Sequence, residues 1–544
     1  MNSLLRLPGY RFVVCVAFLT LPIPLFADDS DQDNNNALNK PIETQIFKNL
    51  TEKAYTETML KYKDLGWTPL SLNVHVANDI DFYDVLLGQF KDRAYFVEQH
   101  RMSQESFAEV NAANEAAGWR LNMREDYIHR GIPRIAGIWV YEATENPLQN
   151  VWEHLEMRDS GTSKDKLVAL TNSLKHWMKD NNIPGLSIAI SKDNQLVYSK
   201  GIGYLDLRKE KEVREKDTLF RIGSISKSLT AIAILKLVED EKIKLDRPMM
   251  DYLHGLRPIP DQALIDQDMH KITVRDLLTH RTGIDAASTD AKIHHSRDTA
   301  RMMKVAPPLN QVNLLRSIVA LPLQENSDYD FNYSHANYLF LGRIIESTSG
   351  MSYENYVKRN LLKPLGIRSM KIGGGAESQR DKKEAVYYTQ NGTHARSDFN
   401  LLGNQTPIQY SFNLQATDAA NGWLATPKDL LKIADSLSTN AKKRIVSSKT
   451  IKAMFAPPIY KNVSANGYYA LGWTVWPTSQ RHPVSLTFHR GSGQPGCASM
   501  IKIRGDGVNY AFMMNCDTTR EGKPACKELA MLLDELIPTV KSWD

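Results

Sequence analysis

The chain has 544 residues, too many for one compact domain, and its 42% apolar, 9% aromatic and 24% charged side chains supply ample core for a folded protein. A formal charge of +5 spread over that length excludes a nucleic-acid partner bound through a basic surface. Arg6 and Arg11 precede an apolar run from Phe12 to Phe26, broken by Pro22 and Pro24, and Ala27 is followed by Asp28-Asp29. That is the layout of a signal peptide over residues 1–27. It leads us to expect an exported mature chain, periplasmic or extracellular, with no stable membrane insertion. Residues 28–44 are acidic and Asn-rich and read as a disordered start.

Residues 45–145 carry an internal repeat at an offset of about 52 residues. Leu50-Thr51 recurs as Met102-Ser103, Tyr55 as Phe107, Gly66-Trp67 as Gly118-Trp119 and Leu87 as Trp139. Each unit reads as a helix capped by Thr or Ser, ended by a glycine, then a β-hairpin. Residues 146–164, with Asn146-Pro147 and Asp159-Ser160-Gly161, read as a linker. From 165 to 544 the pattern changes. Period-two alternation over Leu186–Ser191 and Gln195–Ser199, joined by Asp193-Asn194, predicts a hairpin. Ser224 to Val238 is nearly continuous apolar sequence after its first turn and predicts a buried helix. Further helices are expected at 273–279, 335–348, 352–361, 427–438 and 523–536, and strands at 470–476, 484–490, 497–503 and 508–515. Strands at both ends around a helical middle predict an α+β fold, one antiparallel sheet covered by helices, preceded by a smaller α/β repeat domain.

Cys497, Cys516 and Cys526 remain after the leader. In an exported chain Cys497 could pair with Cys516 across a hairpin, or Cys516 with Cys526, and three buried thiols are the third option. No CxxC or Cys/His cluster points to zinc, and no cofactor is expected.

The chemistry centres on Ser224-Ile225-Ser226-Lys227. Spacing of three on a helix puts both side chains on one face. A lysine desolvated near a helix N-terminus is disfavoured as a cation and can take the serine proton. The spacing alone is weak, since Ser163 and Lys166 share it within the linker. Ser224 differs because it opens the most apolar helix of the chain, where a lysine needs a partner. There is no G-x-S-x-G elbow and no H-E-x-x-H pair, which argues against an α/β-hydrolase and a zinc protease.

Two resemblances follow from these segments. His100-x-Met102-Ser103 followed by Gly118-Trp119 resembles a tandem-repeat domain found ahead of some bacterial serine hydrolase domains and in fungal polyglycine hydrolases. Pro184-Gly-Leu-Ser-Ile-Ala-Ile190, Asp217 to Lys227, Ile272 to Gly283, Phe331-Asn-Tyr-Ser334, Gly422 to Leu430 and His489-Arg-Gly491 stand in the order of the serine β-lactamase-related family. That family includes class C β-lactamases, penicillin-binding esterases and D-peptidases. The resemblance implies a β-lactamase/transpeptidase-like fold with Ser224 as acylated nucleophile, Lys227 as its activator and Tyr333 sharing acid/base work. It implies that His489, on the strand that is Lys-Thr-Gly in many members, touches the substrate or the tyrosine. The N–H groups of Ser224 and Ser492, beside Gly491, would form the oxyanion hole. His335 stands where the family has a substrate-holding asparagine, with Asn337 two residues on as a shifted substitute. The expected activity is therefore an esterase or peptidase acting on an ester, amide or peptide, polymeric substrates included, rather than an efficient β-lactamase. A polyglycine-type endopeptidase and a non-catalytic scaffold that kept the fold stay open beside it.

Overall fold

The computed structural model describes residues 43–64, 67–89, 95–116, 120–141, 148, 151–163, 165–258, 265–294, 296–324, 330–399, 405–458, 467–479, 484–492 and 494–543. The expected leader and nearly all of the expected disordered start lie outside the described residues, as do Gly66 and Gly118-Trp119. Among the described residues no helix is long and apolar enough to cross a membrane.

The first part of the chain runs β1 (Glu43–Thr51), α1 (Glu52–Asp64), β2 (Trp67–Ala77) and β3 (Ile80–Gln89). It continues as β4 (Tyr95–Met102), α2 (Gln104–Ala116), β5 (Arg120–His129) and β6 (Ile132–Tyr141). Each unit forms a three-stranded antiparallel sheet, ordered β1-β3-β2 and β4-β6-β5. The strand that opens each unit is absent from the helix-plus-hairpin expectation. In β1 every residue is exposed or half-buried, so it shows little of the apolar alternation that marks a strand. Tyr55, Tyr83, Phe96 and Ile138, drawn from both units, share one buried cluster.

The stretch expected as a linker is structured. It contains α3 (Val151–His154) and β7 (Asp159–Ser163), and β7 pairs with the strand Gln195–Asp206. A polar edge strand carries no hydrophobic signal, and its sequence, Asp-Ser-Gly-Thr-Ser, reads as loop. Gly161 has φ +94, and a Cβ there would meet the Ser199 carbonyl at 2.4 Å, so glycine is required where β7 docks.

After α4 (Val168–Asp180) come β8 (Gly185–Lys192) and β9 (Gln195–Asp206), the expected hairpin. They join a nine-stranded sheet in which β8 pairs with Val508–Met514, which pairs with Ala498–Arg504, and that in turn with Leu486–Gly491. Thr474–Trp476 follows, so the expected strand at 470–476 starts later, after a turn at Leu471-Gly472. The sheet is buried on both faces, which the alternation along Val508–Met514 shows. Tyr510, Phe512 and Met514 pack with Leu174 of α4 and Leu529 and Leu533 of the last helix, Ala525–Leu536. Ala511 and Met513 face the opposite cluster, with α5 (Ile225–Glu239) and helix Pro427–Leu437. α5 is buried on nearly all sides, as its composition requires. The fold is that expected: α+β, with a β-lactamase/transpeptidase-like antiparallel sheet between helices. Cys497, Cys516 and Cys526 are buried free thiols, each pushed up in pKa by burial, and neither expected disulfide is formed.

Candidate active site

Ser224 stands at the N-cap of α5, 6% exposed. What holds it there begins three residues earlier. The fully buried Arg221 guanidinium donates to Glu384 at 3.2 Å and to the carbonyls of Gln409, Gly374 and Gly375, and it lies 4.7 Å from the Tyr387 ring centroid. A planar five-donor group satisfied on several sides fixes the turn that follows. Gly223 then takes φ +49 and lies against Gly491. A Cβ on Gly491 would sit 2.2 Å from the Ile222 carbonyl and 2.1 Å from Ser499 Oγ. Glycine at 491 therefore lets the strand Leu486–Gly491 press onto the nucleophile turn, which brings Ser492 to the cavity beside Ser224.

Lys227 Nζ, wholly buried, lies 3.1 Å from Ser224 Oγ, 3.2 Å from the Ala420 carbonyl and 3.4 Å from Asn421 Oδ1. Burial pulls its pKa down to about 7, with the Asp290 carboxylate pulling weakly the other way. A neutral amine has two N–H groups and one lone pair. As an ammonium Lys227 donates to Ser224 Oγ, the Ala420 carbonyl and Asn421 Oδ1, while the Ser224 hydroxyl donates to Asn421 Oδ1 at 3.3 Å; loss of one lysine proton keeps N–H groups for the two carbonyl oxygens and turns a lone pair toward Ser224 Oγ. The Nζ also sits 5.0 Å from the Tyr333 ring centroid and 5.9 Å from that of Tyr338. The Tyr333 hydroxyl is pushed up in pKa by burial, opposed by a hydrogen bond with Ser224. Tyr333 therefore meets the nucleophile as a phenol, a donor.

Asn421 was not singled out by sequence. It ends the short helix Asp418–Asn421, just before the motif starting at Gly422, and its closeness to Lys227 comes from packing alone. Arg343 anchors that helix by donating to buried Asp418 at 2.7 Å. Asn337, whose spacing from Tyr333 is two residues too long for the substrate-holding asparagine, is elsewhere. It bonds Thr282 at 3.0 Å and His280 Nδ1 at 3.2 Å, and is fully buried. Asn421 thus supplies the carboxamide at Lys227 that neither position 335 nor 337 provides.

His489 donates from Nδ1 to the Arg490 carbonyl at 3.0 Å, so Nε2 accepts from the Tyr469 hydroxyl at 3.2 Å. Burial, with Lys227 nearby, drops its pKa to about 3 and keeps it neutral. Of the two expected partners, substrate or Tyr333, the tyrosine is not the one it meets: Nε2 faces Tyr469. His335, at the first turn of helix His335–Ser349, lies 3.3 Å from Asp290 Oδ1 through Nδ1. The decoy pair separates: Ser163 ends β7, and Lys166 reaches Ser542 at 3.4 Å.

These groups surround a cavity of about 570 Å³ lined by Ser224, Tyr333, His335, His489, Arg490 and Ser492. Aromatic rings close its other side, with Phe331, Tyr468, Tyr469 and Trp476 around Gly467. A Cβ at Gly467 would lie 2.3 Å from the Trp476 ring. All seven residues singled out by sequence reach this neighbourhood, Gly491 as a backbone element behind it.

Comparison with known proteins bears on the same region. The family described as Beta-lactamase matches residues 170–534. Protein flp of Staphylococcus aureus (strain N315) is 27% identical over 340 residues, which cover 61% of this chain and 59% of that protein. The mitochondrial serine beta-lactamase-like protein LACTB of Mus musculus is 23% identical, over 62% of this chain and 72% of its own. Among solved structures, the octameric penicillin-binding protein homologue from Pyrococcus abyssi is 26% identical with a TM-score of 0.50, covering 68% of this chain and 78% of that one. The D-amino acid amidase from Ochrobactrum anthropi SV3, complexed with L-phenylalanine, has a TM-score of 0.53 at 21% identity, covering 70% and 100%. The chain thus spans 59% of the length of the first of these curated relatives.

Proposed function

The chain belongs to the Beta-lactamase family, and from that premise we propose that it is a serine hydrolase that opens esters, amides or peptides through an acyl-Ser224 intermediate. The observation that carries the reading is the wholly buried Lys227 amine 3.1 Å from Ser224 Oγ, with the Ala420 and Asn421 oxygens as its other partners and a pKa drawn down to about 7 by burial. Ser224 Oγ attacks the carbonyl carbon as its proton passes to Lys227 Nζ. The oxyanion is received by the N–H groups of Ser224, at the positive end of α5, and of Ser492. The C–N or C–O bond breaks, and the leaving group takes a proton from the Tyr333 hydroxyl, which Lys227 restores.

Substrate preference follows from what lines the cavity. Aromatic walls at Phe331, Tyr468 and Trp476 favour an apolar or ring-bearing group beside the scissile bond. A neutral His489 where many members carry lysine, together with His335 in place of asparagine, favours esterase or peptidase work over β-lactam hydrolysis. The leader-like layout of residues 1–27 supports action after export. The units at 43–141 support docking of an extended or polymeric substrate, a polyglycine peptide among them.

A fluorophosphonate probe, followed by a panel of p-nitrophenyl esters, nitrocefin and D-amino-acid peptides, tests the reading. Ser224 becomes labelled in the folded chain, Ser224→Ala abolishes labelling, and ester or peptide turnover exceeds nitrocefin turnover. A folded chain that neither labels nor turns over any of them would be the non-catalytic scaffold instead.

A further inference from the structure

Tyr333 sits in an irregular stretch, Phe331-Asn332-Tyr333-Ser334, that belongs to no helix or strand, so its place is set from outside. His280 sets it. That residue caps the C-terminus of helix Val274–Thr279 in the left-handed region, at φ +56. Its carbonyl accepts from the Asn332 amide at 2.9 Å, and its Nδ1 accepts from the Ser334 amide at 3.2 Å. The two bonds bracket Tyr333 on both sides. Between them the imidazole lies against the Tyr333 ring, with centroids 4.2 Å apart and planes tilted by 36°.

The protonation of the ring follows from its partners. A backbone N–H only donates, so Nδ1 carries the lone pair and the proton of the neutral ring is on Nε2. The Asn337 carboxamide brings Nδ1 a second donor at 3.2 Å, and is itself oriented by the Thr282 hydroxyl, which donates to its oxygen at 3.0 Å. Nε2 is buried and has no hydrogen-bond partner among the described residues. Tyr338 and Tyr469 also pack on the ring, with centroids 5.1 and 5.0 Å away. Burial, reinforced by Lys227, holds the His280 pKa well below the usual histidine range. A neutral imidazole with no acceptor at Nε2 relays no proton, so its influence on the reaction passes through Tyr333.

We propose that His280 is a positioning residue that aims the Tyr333 hydroxyl at the departing group, through its Nδ1 bond to the Ser334 amide and the face of its ring. The proposal rests on the acyl-enzyme reading above, in which Tyr333 protonates the leaving group. That proton matters in proportion to the basicity of what leaves. A p-nitrophenolate departs as a stable anion, whereas an alkoxide takes a proton as the C–O bond breaks. Misaiming Tyr333 therefore slows poor leaving groups and spares good ones. A ring that only filled space would cost both alike.

The test compares kcat/KM of the full-length chain on a p-nitrophenyl ester and on the alkyl ester of the same acid, beside fluorophosphonate labelling of Ser224. His280→Gly keeps the left-handed turn and removes both ring and acceptor. His280→Asn also tolerates that turn, and carries an oxygen as many bonds from Cα as Nδ1. In His280→Gly the alkyl ester slows about 100-fold, while labelling and the p-nitrophenyl ester stay within about threefold of wild type. His280→Asn regains about tenfold on the alkyl ester. Tyr333→Phe shows the same selective loss, and adding His280→Gly to it costs the alkyl ester less than about threefold more, because both changes act through one hydroxyl. Losses in His280→Gly that fall equally on both esters, no loss at all, full additivity with Tyr333→Phe, or an asparagine variant no better than the glycine one each overturn the proposal. A Tyr333→Phe variant without selective loss overturns instead the acid role of Tyr333 beneath it.

Discussion

Lys227 answers two opposed demands. Burial in α5 removes the water that would keep it charged, and the pKa of about 7 is the result. Protonation therefore competes with catalysis near neutrality. Fluorophosphonate labelling rises with pH through about 7 and levels above it, falling about tenfold per unit on the acid side. Asn421→Asp puts a carboxylate where Oδ1 is now 3.4 Å from Nζ. An opposite charge at that range raises an amine by roughly one to three units, so the midpoint of labelling moves up by at least one unit. A midpoint that stays near 7 in the variant shows that Lys227 is not the group being titrated. Stability follows the same sign. Between about 7 and 10.5 the unfolded chain holds a lysine proton that the folded chain has given up, so the penalty that burying this group sets on folding shrinks as pH climbs through that window.

Among the elements, the strand Leu486–Gly491 and the turn before α5 behave as one unit. Gly491→Ala forces the Cβ against the Ile222 carbonyl, a backbone atom with little room to give. The expected cost is about 1–3 kcal/mol in denaturant unfolding, with labelling of Ser224 slowed at least tenfold because the oxyanion donors separate. A variant with wild-type labelling would show that the strand can shift freely. Much of this level was legible beforehand. The hairpin β8–β9, the buried helix α5 and the closing strands announce themselves by period and composition, and the Ser-Lys spacing fixes one face of one helix. β1 and β7 were not legible, because exposed or polar edge strands carry no alternation to read, and β4 was not legible because its apolar residues cluster at its two ends around Glu98-Gln99-His100-Arg101. Asn421 and Asp290 were not legible for a different reason. Their nearness to Lys227 and His335 spans long stretches of chain, and no local pattern encodes it.

Across the molecule, the buried clusters divide along the chain. Tyr55 to Val140 supply two of them, and Leu148 to Ile537 supply the two that enclose the large sheet. No buried residue of the first pair belongs to the second. Removing residues 43–141 is therefore expected to leave turnover of a short p-nitrophenyl ester within about twofold, by the additivity of independent units, while turnover of a polymeric substrate falls. A parallel fall in both would mean that the units support the catalytic fold rather than dock substrate.

The pairing of β8 with Val508–Met514 also has a consequence during synthesis. The edge of β8 is made early and its partner nearly last, so the ribosome must deliver everything from Lys192 to Val508 before the sheet can close. At about 5–20 residues per second the wait is tens of seconds. Throughout it the nascent chain shows an unpaired apolar edge, the kind of surface that holdase chaperones bind and that unprotected chains aggregate through. A premature stop anywhere before Val508 leaves that edge open for good, so truncated products are expected in inclusion bodies rather than as partly active enzyme.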